Sequence, residues 1–83
     1  MLELKWAKVL FESGALSAAY IQHDSLSGGY VVLFDRYLEG SEVRTVYRSQ
    51  RLNEPKVFKN VESALNLVKS IGFNSVTVCK LQG

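Results

Sequence analysis

With 83 residues, the chain has room for one hydrophobic core, so a single domain over residues 1–83 is expected and a second independent core is excluded. A hydrophobic content of 47%, with one Trp, four Tyr and four Phe, is enough for that core, and a charged fraction of 22% argues against disorder. A formal net charge of +2 is mildly basic; it permits a nucleic-acid partner without demanding one.

The chain opens on Leu2, Trp6, Val9 and Leu10 at helical spacing, with Lys5, Lys8 and Glu12 on the opposite side and Gly14 suited to a left-handed cap. A helix over Leu2–Ser13 follows. Alternation over Leu2, Leu4 and Trp6 offers a strand instead, and it fails at Lys8. The charges of this N-terminal stretch interrupt the apolar run that a signal peptide needs, and no segment is long enough to span a bilayer. Neither secretion nor a membrane partner is expected.

Leu16–His23 lacks helical charge patterning, and Asp24-Ser25-Leu26-Ser27-Gly28-Gly29 supplies turn chemistry before the β-branched and aromatic run Tyr30–Phe34. That pair reads as a hairpin. A second turn at Glu39-Gly40-Ser41 leads into Val43–Gln50, where Val43, Thr45 and Tyr47 alternate with Arg44, Val46 and Arg48. Three consecutive antiparallel strands result.

Arg51–Pro55 reads as a loop, because proline forces its predecessor towards an extended conformation and lacks an N–H. Asn60 then caps a helix whose apolar stripe is Ala64, Leu65, Val68 and Ile71, ending at Gly72 with Phe73 placed for the hydrophobic contact of a Schellman end. The β-rich tail Val76–Leu81 gives a last strand. The expected fold is α+β, a layer of two helices on an antiparallel or mixed sheet in the order α-β-β-β-α-β. The last strand joins beside either the first or the third.

No catalytic site is legible, so the chain is expected not to be an enzyme. His23-Asp24 with Ser25 and Ser27 sits in turn chemistry without a nucleophile elbow, and Gly28-Gly29 lacks the Lys-Ser/Thr pair of a phosphate loop. The lone Cys79 can form neither an intramolecular disulfide nor a zinc site; a structural thiol in a reducing, cytoplasmic setting is expected, with no metal and no cofactor.

Binding groups are better represented. Arg36, Arg44, Arg48 and Arg51 fall on or just after neighbouring strands with Tyr30, Tyr37 and Tyr47 interleaved. Arg44, Val46, Arg48 and Gln50 share one face, with an expected arginine separation comparable to that of successive phosphates, so this face could grip an anionic backbone. The competing assignment pairs Arg44 and Arg48 with Asp35, Glu39 or Glu42. Lys56 and Lys59 precede the second helix, whose N-terminus favours anions, although Glu62 already complements that dipole. A protein partner or a homodimer is the alternative to nucleic acid, with Trp6, Phe11, Tyr37 or Tyr47 as anchors and the last strand as an edge for sheet extension.

Two resemblances accompany this reading. The order α-β-β-β-α is similar to that of the double-stranded RNA-binding domain, although the glycine-proline-histidine hairpin loop of that family is absent and Glu62 interrupts its lysine cluster. The segment Lys56–Val78, reading Lys-Val-Phe-Lys-Asn-Val-Glu-Ser-Ala-Leu-Asn-Leu-Val-Lys-Ser-Ile-Gly-Phe-Asn-Ser-Val-Thr-Val, resembles the C-terminal end of small bacterial proteins encoded on plasmids and integrative elements. That resemblance implies an accessory protein of a mobile genetic element and names no activity.

Overall fold

A computed structural model describes residues 1–79. These residues form α1 (Leu4–Glu12), β1 (Leu16–His23), β2 (Tyr30–Leu38), β3 (Ser41–Val46), α2 (Val61–Ile71) and β4 (Thr77–Cys79), the α+β order the sequence predicts. The expected last strand Val76–Leu81 starts one residue later, as Thr77–Cys79; Lys80 and Leu81 lie outside the described residues. Among the described residues, no helix is long and apolar enough to cross a membrane.

The strands lie in the order β3-β2-β1-β4. Two tight turns make β1, β2 and β3 antiparallel, whereas the crossover through α2 returns β4 parallel to β1, which settles its place in a mixed sheet. Strand alternation sends Ala19, Ile21, Val32 and Phe34 to the face that receives both helices, where they meet Ala7 of α1 and Ala64, Val68 and Ile71 of α2 in one core. Phe34, Ile21, Val32 and Val68 are its largest fully buried side chains, each removing apolar surface worth about 1.5–3 kcal/mol. Phe73, just past α2, packs edge-on to Phe11 and stacks on Phe34, so the end of α2 is tied to α1 and to the sheet together.

Helix α1 departs from the expected Leu2–Ser13 in start and in face. Leu2 is extended: its N–H donates to the Val46 carbonyl at 3.0 Å, and its own carbonyl accepts from Arg48 N–H at 2.8 Å. It therefore adds a one-residue parallel rung beside Tyr47. The buried stripe is Leu4, Ala7, Leu10 and Phe11, leaving Trp6 and Val9 about half exposed. Committing Leu2 to the sheet moves the helix start two residues later than the apolar pattern suggests, and the buried stripe changes with it. The end is as expected: Gly14 adopts φ +82°, Ala15 N–H reaches the Leu10 carbonyl and Gly14 N–H the Phe11 carbonyl, a Schellman pattern.

Helix α2 starts where Asn60 accepts from Ser63 N–H at 2.9 Å through its side-chain oxygen. Strand β3 is shorter than expected and stops at Val46. Tyr47 still donates to the Val32 carbonyl, but a continued register would then bring Ser49 opposite Tyr30, and Phe58 takes that place with two bonds of 2.7 and 2.8 Å. Residues 48–57 are thereby extruded as a folded-back excursion in which Arg48 lies opposite Pro55. Gly29 permits it, since a Cβ there would stand 2.6 Å from the Phe58 carbonyl oxygen.

Candidate interaction surface

Both helices cover one face of the sheet, so the strand residues of opposite parity line an open face. Tyr20, Leu33 and Val46 form one cross-strand row, Ala18, Asp35 and Arg44 the next, and Gln22 with Val31 a third. Most of these side chains are half-buried by their neighbours alone, and the exposed Tyr37 continues the surface.

A polar cluster is set into this face. Asp35 is buried, with 8% of its surface exposed, at a position where alternation brings β1 and β3 neighbours over it. The Tyr20 hydroxyl donates to its Oδ2 at 2.7 Å, and Arg44 Nε donates to Oδ1 at 2.9 Å with a second, longer bond of 3.4 Å from Nη2 to Oδ2. The Arg44 guanidinium carbon stands 4.0 Å from the centroid of the Tyr20 ring, a cation–π contact. Three strands are thus joined through one carboxylate. The Arg44 hydrogen bond, then that of Tyr20, hold the Asp35 carboxyl below the usual carboxylate range. Donation to that carboxylate raises the Tyr20 phenol, and the same ion pair raises Arg44. With each member kept in its ordinary charge state, the cluster orders the surface and offers no group poised for proton transfer at neutral pH.

At one end of the open face a hollow of about 470 Å³ lies between Gln22, Val31 and Val46 on the sheet and Glu54, Pro55 and Val57 of the excursion. His23 and Asp24 close its rim. The Ser27 hydroxyl donates to Asp24 at 2.6 Å and accepts from Gly29 N–H, so this serine and carboxylate are spent on the turn; the same hydroxyl lowers the Asp24 carboxyl. His23 packs edge-on to Tyr30, and Cys79 pairs with Gln22 across the β1/β4 ladder. Among the described residues, no three His, Cys, Asp or Glu side chains group to hold a metal ion.

The six basic residues singled out by sequence do not come together as one face. Arg36 shares the parity of Phe34 and turns to the helix side, where its Nε is buried without a partner among the described residues. Arg44 is held by Asp35, and Arg48 by Glu3 at 3.1 Å. Four residues along a strand span about 13 Å, about twice the separation on which the phosphate-matching arrangement rests, and Gln50 has left the strand altogether. Arg51 and Lys56 line a separate hollow with Leu4 and Tyr47, while Lys59 is exposed immediately before the α2 cap. Asp35 is among the partners that the sequence offers for Arg44; the convergence of Tyr20 on it depends on the β1/β2 register. The Glu3–Arg48 pair has no sequence signal, because Glu3 reaches it only once Leu2 joins the sheet.

Comparison of the chain with family models, curated proteins and solved structures gives no match.

Proposed function

We propose that this chain is a non-enzymatic protein-binding module whose docking surface is the open face of the sheet. One observation carries the reading: a surface of half-buried Tyr20, Val31, Leu33 and Val46 is held in register by the Tyr20–Asp35–Arg44 cluster and left uncovered by either helix. Apolar and aromatic groups on a rigid sheet, with their polar atoms already satisfied, form a surface that costs little entropy to dock against. This arrangement favours the protein-partner reading over nucleic acid, because two of the four arginines spend charge on carboxylates and a third lies on the other face.

The test is affinity capture from an extract of the expressing cell, with the wild-type chain and Leu33→Asp compared at matched folding by circular dichroism. A protein retained by the first and lost by the second is expected. Retention of nucleic acid that is released by salt, or a protein retained equally by both, overturns the reading.

A further inference from the structure

Strand β3 is an edge of the sheet, and its outward backbone groups can be assigned from the bonds around it. Tyr47 N–H points inward to Val32, whereas the Val46 carbonyl and Arg48 N–H point outward to Leu2. Residues of even number therefore present N–H and C=O to the outside. Leu2 occupies the far end, and no described backbone group pairs on that side with Glu42 or Arg44. Ser41–Val46 carries no proline, lysine or bulge, and its edge charges, Glu42 and Arg44, are of opposite sign.

We propose that this edge pairs antiparallel with the same edge of a second copy of the chain, about a two-fold axis at Val43, to give one continuous eight-stranded sheet. The charges select the occupant and the register. Centred on Val43, the pairing sets Glu42 opposite Arg44 of the second copy and Arg44 opposite its Glu42, two cross-strand ion pairs related by symmetry. Centring on Glu42 or on Arg44 sets like charges face to face. The same centre also satisfies the backbone, since Glu42 and Arg44 are the residues whose N–H and C=O point outward.

Both side chains keep hydrogen-bonding capacity beyond their contacts within the chain. The Arg44 side chain is 52% exposed and engages Asp35 with only part of its donor fork, and among the described residues Glu42 accepts one side-chain bond, from Ser17 through Oε2. Val43, 38% exposed on the helix side, meets its own copy in the closely spaced pair that lacks hydrogen bonds. The sheet edge borders the docking face at Arg44, and pairing along it extends that face across both copies.

The test combines light scattering with cysteine placement. The wild-type chain is expected to be a dimer that salt weakens, and Glu42→Arg, which turns both ion pairs into repulsions, to weaken it by about tenfold or more. In a Cys79→Ser background, Val43→Cys is expected to form an intermolecular disulfide readily under mild oxidation, because closely spaced antiparallel pairs stand about 4.5 Å apart at Cα. Thr45→Cys, whose symmetry mate lies about 13 Å away, is expected not to. A monomer at millimolar concentration, a dimer indifferent to Glu42→Arg, or equal cross-linking at both positions overturns the proposal. Because neither cysteine probe touches Leu33, the capture experiment on the docking face reads out independently of dimer formation.

Discussion

The two faces of the sheet are made by alternate residues of the same strands, yet they hold the fold together by different means. On the helix side, Val32 and Phe34 are fully buried among apolar neighbours and stability comes from area removed from water. On the open side Leu33 and Asp35, one residue away from each, lie beneath no helix among the described residues, and order comes from a carboxylate bonded to two neighbouring strands. The covered face therefore sets whether the chain folds, whereas the open face sets the shape it presents.

Phe34→Ala strikes the covered face hardest. It opens a cavity between both helices and the sheet, and a loss of about 3–5 kcal/mol is expected, read as a lower urea midpoint. A loss under about 1 kcal/mol would mean that the core is not where the buried aromatics indicate. Next is Gly29→Ala, whose methyl would press on the Phe58 carbonyl. A loss of about 1–3 kcal/mol is expected, with faster amide exchange at Tyr30 and Phe58 as the excursion detaches from β2.

On the open face, Asp35→Asn is expected to cost about 1 kcal/mol at neutral pH, modest because the Arg44 side chain is half exposed and solvent screens the pair. The more specific signature is in acid. The folded-state pKa of Asp35 is depressed, so its contribution is present above its unfolded pKa of about 3.9 and is lost as pH falls through the folded value. Wild-type stability should fall over that window, with a shallower fall in Asp35→Asn; parallel pH profiles would show that the cluster does not stabilise the fold. The smallest effect on stability is expected for Leu33→Ser, within about 1 kcal/mol, although it alters the centre of the proposed docking face.

The covered face is the more legible of the two from sequence. Strand β2 starts at the expected Tyr30 but runs to Leu38, four residues past the expected Phe34, while β1 and the Asn60-capped stripe of α2 appear where expected. The face of α1 does not, because the role of Leu2 is decided by a carbonyl on residue 46 that only the tertiary fold brings near. Placement of β4 beside β1 likewise rests on how α2 lies across the sheet. The expected arginine face fails for a related reason: it requires an unbroken strand through Gln50, whereas pairing of Phe58 with Tyr30 ends β3 early. Local spacing specifies which residues can share a face; long-range pairing decides where that face stops.

Whether the open face is the surface a partner meets can be decided by site-specific photocrosslinking in an extract of the expressing cell. A photoreactive side chain is placed at Leu33 in one variant and, as a control on the helical side, at Trp6, which is 52% exposed. A discrete protein adduct is expected from position 33 and none from position 6. An adduct from position 6 alone would show that the partner approaches over the helices and that the open face is not its docking surface.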